Sequence, residues 1–149
     1  MGVLALMGSG ETSPTMVRIH RDLAAGSDTG LLLPTPYAFQ ENEADISARA
    51  QKYFARSIGI SVCVAPDDDE RAGLGIRTAA WVFSGPGSPT YALERWRGGA
   101  IERALRARLW ERRGTTVLAS AAAATVGVVA VPVYEIYKVG APPHWLDGL

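Results

Sequence analysis

Five short apolar runs, each closed by glycine, proline or serine, alternate with helical patterns along the 149 residues. This alternation leaves few folds open. Val3–Met7 ends in "GSG", and "TGLLLPTP" (29–36) is halted by two prolines. "ISVCVAP" (60–66), "AAWVFSG" (79–85) and "TTVLAS" (115–120) follow. Between them lie a helix opened by "SPTM", with Ser13 as N-cap and Pro14 at its first position, and a second over 42–58, where Ile46, Ala50, Phe54 and Ile58 recur. "DDDE" (67–70) reads as a solvated loop and helix start. A stretch over 90–97 and an amphipathic helix marked by Ile101, Ala104, Leu105 and Leu109 come next. Such runs are strands buried on both faces, Val3–Met7 included, so the expected fold is a doubly wound, mostly parallel α/β sheet. "PVYEIYKVG" (132–140) alternates and is expected as an edge or antiparallel strand, with Glu135 and Lys138 on opposite faces.

Composition bounds the function. The chain is 48% hydrophobic and 20% charged, which suits one globular domain over 1–149. Fifteen basic residues balance fifteen acidic ones, so neither nucleic acid nor a membrane surface is an expected partner. The one cysteine, Cys63, cannot form an internal disulfide and fits a reducing cytoplasm. "MGVLALMGSG" is apolar over too few residues for a span or signal peptide. No His/Cys/Asp cluster has metal-ligand spacing, and "GSGETS" lacks both G-x-G-x-x-G and a P-loop lysine. No metal or cofactor is therefore expected.

In a parallel sheet, ligands bind beyond the carboxyl ends of the strands. Four loops should meet there: "GSGETS" (8–13), "PTPYAFQEN" (34–42), "SGPGSPTY" (84–91) and "ASAAAA" (119–124). They hold the candidate substrate-binding residues Gly10, Glu11, Gln40, Gly85 and Tyr91. The Gly87 N–H can face a developing oxyanion, or "GPGSP" can be a rigid turn in which Ser88 and Pro89 start a helix. Ser120 is either a nucleophile at a strand end or a small residue capping the alanine helix.

The order of these motifs resembles the dipeptidase E/cyanophycinase group of serine peptidases, within the class I glutamine amidotransferase-like superfamily. That group has an "SGGNP-x-Y" loop and, further on, a serine elbow of the type G-x-S-A-G-A-M-x-L-G. Here Ser84, Gly85, Gly87, Ser88, Pro89 and Tyr91 stand in the first place, with Pro86 inserted. Leu118 to Gly127 stand in the second, with Ser120 at the nucleophile position. "LALMGSGETSPTM" resembles the group's first strand and loop, so the similarity runs over about residues 3–140. The resemblance implies a flavodoxin-like fold, Ser120 as nucleophile, Gly87 as oxyanion donor, and a peptide or small-molecule substrate.

The sequence departs from the group in two ways. Leu118 and Ala122 replace the glycines flanking the serine at minus two and plus two. The base is also displaced. His20 lies inside the first helix, where a surface or packing role is expected, and His144 is five residues from the end, either folding back as the base or serving structure. Glu135 and Lys138 are further candidates near Ser120, with solvation as the alternative. The expected activity is serine-dependent hydrolysis of an amide or peptide bond. The alternative is a non-catalytic relative that binds a small ligand or partner in the same pocket. Glutamine amidotransferase-like activity ranks third, since the elbow carries serine and Cys63 lies mid-strand. The sheet is expected to be C-terminally incomplete, with an unpaired edge and an apolar patch near 132–146. Further chain or a partner copy, as in a homo-oligomer, would complete it.

Overall fold

The computed structural model describes residues 2–149. Its main sheet contains β1 (Val3–Met7), β2 (Thr29–Leu33), β3 (Ser61–Val64), β4 (Trp81–Ser84) and β5 (Thr115–Ala119), all parallel, in the order β1-β5-β4-β2-β3. Helices α1 (Val17–Ala24), α2 (Glu43–Tyr53), α3 (Asp69–Thr78), α4 (Pro89–Trp96) and α5 (Ala100–Trp110) connect these strands, and the one-turn α6 (Ala121–Ala124) follows β5.

The two-residue period of the strands divides their apolar side chains between two cores. Leu31, Leu33, Val82 and Leu118 point to one face, where Ala72, Ile76, Ala92, Trp96 and Leu105 of α3, α4 and α5 cover them. Leu32, Trp81, Phe83, Val117 and Ala119 point to the other, under Ala24 and Phe54. Each large side chain fully buried this way contributes roughly 1.5–3 kcal/mol. This is the doubly wound arrangement that the alternation of elements predicts.

Helix ends follow the local chemistry. Ser13 precedes a short 3₁₀ turn, Pro14–Met16, that leads into α1, but its hydroxyl makes no capping bond and pairs with the Thr15 hydroxyl at 2.7 Å instead. Helix α2 continues through a wide turn, Phe54–Ile58, and stops at Gly59, whose φ of 92° suits a residue without Cβ. The Asp68 carboxylate accepts from the Arg71 N–H at 2.7 Å and caps α3. Asp69 is not the solvated residue expected of "DDDE": its carboxylate accepts the N–H groups of Ala100 and Ile101 at 2.6 and 3.1 Å, capping α5.

Two further expectations are corrected. Val3–Met7 is an edge strand, with β5 as its one neighbour in the sheet, so Leu4 and Leu6 remain 40% and 55% exposed. An apolar run alone does not say whether a strand has one neighbour or two. The segment expected as a final strand instead forms a helical turn over Glu135–Val139, closed by Gly140. Its alternation is offset by side-chain bonds: Glu135 accepts from the Ser88 and Thr90 hydroxyls, the latter at 2.9 Å. Val133, Tyr137, Val139 and Trp145 in this region are exposed. The chain then returns in a small antiparallel ribbon, β6 (Val129–Ala130) with β7 (Leu146–Asp147).

Arg108 on α5 is 2% exposed. Its five N–H groups reach Thr116 Oγ1 and the carbonyls of Ile76, Ala79, Ala80 and Thr115 at 2.5–3.0 Å. Burial holds its pKa below the ordinary arginine value. It locks the amino ends of β4 and β5 to α3 and α5.

Candidate active site

All five strands of the sheet run the same way, so the four glycine- and alanine-bearing loops leave β1, β2, β4 and β5 at one end. Ser120 ends β5, at φ 50° and ψ −118°, a region that non-glycine residues rarely occupy. Its N–H donates to the Met7 carbonyl at 3.0 Å, and its carbonyl accepts the Ala124 N–H at 3.0 Å. The backbone is thus held from both sides while the half-buried side chain makes no capping bond to α6. Leu118 and Ala122, at the two flanking positions, are both buried in the core. The plus-two methyl fits without glycine, and the Ala122 N–H donates to the Gly85 carbonyl at 3.1 Å.

That bond joins the Ser120 turn to the β4 loop. Gly85 is buried, and Gly87 has φ 135°. A Cβ on Gly87 would stand 1.9 Å from the Pro36 oxygen, so only glycine allows this loop to lie against the β2 loop. The Ser88 N–H clasps the same oxygen at 2.7 Å. Ser88 also accepts the Tyr91 N–H at 3.0 Å and caps α4 ahead of Pro89. Among the described residues the N–H groups of Gly87 and Ala121 have no backbone acceptor outside regular structure. Ala121, directly after the serine, went unnoticed in the sequence because a backbone donor carries no residue signature.

The remaining candidates separate. Glu11 is 7% exposed and lines a cleft of about 350 Å³ with Tyr37, Arg49, Tyr53 and Pro86. Tyr91 lines a different depression, with Phe39, Ser88, Thr90 and Glu135. Gln40 is half-buried, its N–H on the Tyr37 carbonyl at 3.0 Å, and it lines neither. Gly10 is exposed at φ 80°, and its carbonyl accepts the Ser13 N–H at 2.9 Å.

Neither imidazole is hydrogen-bonded to Ser120. His20 is fully buried, with Nε2 2.6 Å from the Glu11 carbonyl and edge-on contacts to Tyr53, Phe54 and Phe83. Desolvation holds its pKa below 6.5. His144 is exposed, with Nδ1 2.9 Å from the Pro142 carbonyl. Lys138 is exposed on the Glu135–Val139 turn. Cys63 is exposed on the opposite edge strand, β3. Among the described residues no three His, Cys, Asp or Glu side chains converge on a metal position, and no helix is long and apolar enough to cross a membrane.

No family model and no curated protein matches the sequence. Solved structures do. The fold is similar to that of a peptidase from an acI-B1 Actinobacterium, at TM-score 0.76 and 19% identity over 99% of this chain and 64% of that one. It is also similar to a peptidase E candidate from Listeria monocytogenes EGD-e, at TM-score 0.71 and 15% identity over 99% of this chain and 74% of that one. The chain therefore has a dipeptidase E-like α/β fold and spans just under two thirds of the Actinobacterium peptidase.

Proposed function

We propose that the chain is the core of a serine-dependent hydrolase of amide or peptide bonds, with Ser120 as nucleophile. The observation that carries this reading is the backbone of Ser120, a non-glycine residue held at φ 50° where β5 ends. Strained strand-to-helix turns of this kind lift a nucleophile out of the sheet toward its substrate. The similarity to peptidases supports the reaction class.

In this reading Ser120 Oγ attacks the substrate carbonyl carbon. The Gly87 and Ala121 N–H groups receive the oxyanion, each such donor being worth roughly 10²–10³ in rate. The hydroxyl proton passes through a base to the leaving amine, and water then cleaves the acyl ester. His20 is unavailable, being bound to a carbonyl inside the core. The base is His144 or a group supplied by another chain.

A fluorophosphonate probe should label the folded protein, and Ser120→Ala should abolish labelling. Folded wild-type protein that stays unlabelled would move the reading to a non-catalytic relative binding a small ligand in the same clefts. The lack of an imidazole bonded to Ser120 favours that second reading.

A further inference from the structure

We propose that two copies of this chain pair through β1, antiparallel about a twofold axis at Ala5, and so join their two five-stranded sheets into one. The pairing is independent of the hydrolase reading above.

The inference starts from a difference between the two edges of the sheet. At the β3 edge, the Ser61 and Ala65 N–H groups turn inward, onto the carbonyls of Asp28 and Leu32 at 2.9 and 2.8 Å. Backbone groups alternate along a strand bonded on one side, so those of Val62 face outward. The Gln51 side chain donates to the Val62 carbonyl at 2.9 Å and guards that edge.

The β1 edge has no guard. The Val3 N–H bonds the Gly114 carbonyl at 2.9 Å, and the Met7 carbonyl accepts the Ser120 N–H at 3.0 Å. Val3, Ala5 and Met7 therefore spend their groups on β5, and the N–H and C=O of Leu4 and Leu6 point out of the sheet. Among the described residues no other segment bonds them. The strand reads Val-Leu-Ala-Leu-Met, without the lysine or proline that blunts an exposed edge.

The strand's own order selects its occupant. Centred on Ala5, antiparallel pairing sets Leu4 opposite the partner's Leu6, and Leu6 opposite the partner's Leu4. These are the residues with free groups. Each pair exchanges two N–H···O=C bonds, so the two pairs use every outward group of the strand. A register two residues away sets a leucine against Gly2 or Gly8 instead. The side chains agree with this centring. Leu4 and Leu6 are exposed on one face, and the register gathers four leucines there. On the other face Val3 meets the partner's Met7. The apolar sequence is thus close to symmetric about Ala5, as contact between identical surfaces requires. A groove of about 350 Å³ beside the row, lined by Val3, Leu4 and Leu109 with Arg112 and Arg113, receives the partner's Leu6 at its mouth.

The test measures the mass of the chain in solution by sedimentation or light scattering, over a concentration series into the micromolar range. Twice the monomer mass is expected. Leu6→Lys places two ammonium groups among the paired leucines and should weaken the dimer at least about hundredfold. Trp145→Ser, in the exposed patch near the end of the chain, should leave the mass unchanged. In a Cys63→Ser background, Ala5→Cys should oxidise to a covalent dimer. Ala5 faces its own copy in a non-hydrogen-bonded pair, with Cα atoms about 4.5 Å apart, within disulfide reach. Val3→Cys, opposite the partner's Met7, should crosslink far less. A monomer throughout the series, a dimer that survives in folded Leu6→Lys protein, a dimer lost with Trp145→Ser, or equal crosslinking at positions 3 and 5 would overturn the proposal. The crosslink needs no charged variant, so it decides even where Leu6→Lys fails to fold.

Discussion

The two ends of the sheet are built on opposite principles. At the amino ends of β4 and β5, Arg108 is buried and all five of its donors are used. At the carboxyl ends, Ser120 occupies strained backbone and the Glu11 carboxylate has no protein donor among the described residues. The protein satisfies every donor of Arg108, whereas Glu11 lines an open cleft. A charge surrounded by carbonyls braces a fold, whereas a carboxylate that opens onto a cleft contributes no such brace. The same parallel sheet thus concentrates bracing hydrogen bonds at one end and strained backbone and open clefts at the other.

The sharpest way to break the comparison is at Arg108. Replacing it by Met should remove the donor from the Thr116 hydroxyl and from the carbonyls of Ile76, Ala79 and Thr115, while Ala80 keeps the Thr115 N–H, costing about 3–5 kcal/mol in all at about 1–3 kcal/mol per acceptor left bare. Urea denaturation would show it as a lower midpoint. A loss under about 1 kcal/mol would mean that the amino end is not braced as described.

A smaller effect should come from His20, which lies between the two regimes. Its native pKa lies below 6.5 because burial disfavours the charged ring. The unfolded chain therefore binds the proton first as the pH falls. The contribution to stability is complete above 6.5 and declines as pH falls toward the native pKa. Denaturation midpoints measured from about pH 8 to 5 should fall over this range, and His20→Phe should flatten that part of the profile. An unchanged slope in a folded variant would assign the acid sensitivity to other groups.

The smallest effect is expected at Ser120 itself. Ser120→Gly relieves the positive φ and should raise stability by about 1 kcal/mol while abolishing fluorophosphonate labelling. Stability and reactivity moving in opposite directions at one residue would sharpen the contrast with Arg108, where stability alone should move. A destabilised glycine variant would show that the turn is not strained.

Much of this was legible from residue types. The five apolar runs, the glycine loops after them, Ser120 at the end of the fifth strand and the capping role of Ser88 all follow from short-range chemistry. Arg108 was not legible. It shares an amphipathic helix with the exposed Arg103 and Arg106, and no local feature of the sequence sets it apart from them. Asp69 was missed for the same reason: its partners, Ala100 and Ile101, are 31 and 32 residues away. Glu135 looked like one face of a strand until the Ser88 and Thr90 hydroxyls claimed it.

The sequence by itself determined the succession of the five parallel strands with the helices between them, and the residue offered as nucleophile. Periodicity and turn chemistry act over a few residues, and no distant contact is needed to read them. The tertiary structure decided that β1 lies at an edge, that Glu11 and Tyr91 face different clefts, and that His20 points into the core. Those outcomes depend on which strands become neighbours and on which buried polar atoms find partners. Both are settled only when distant segments pack together.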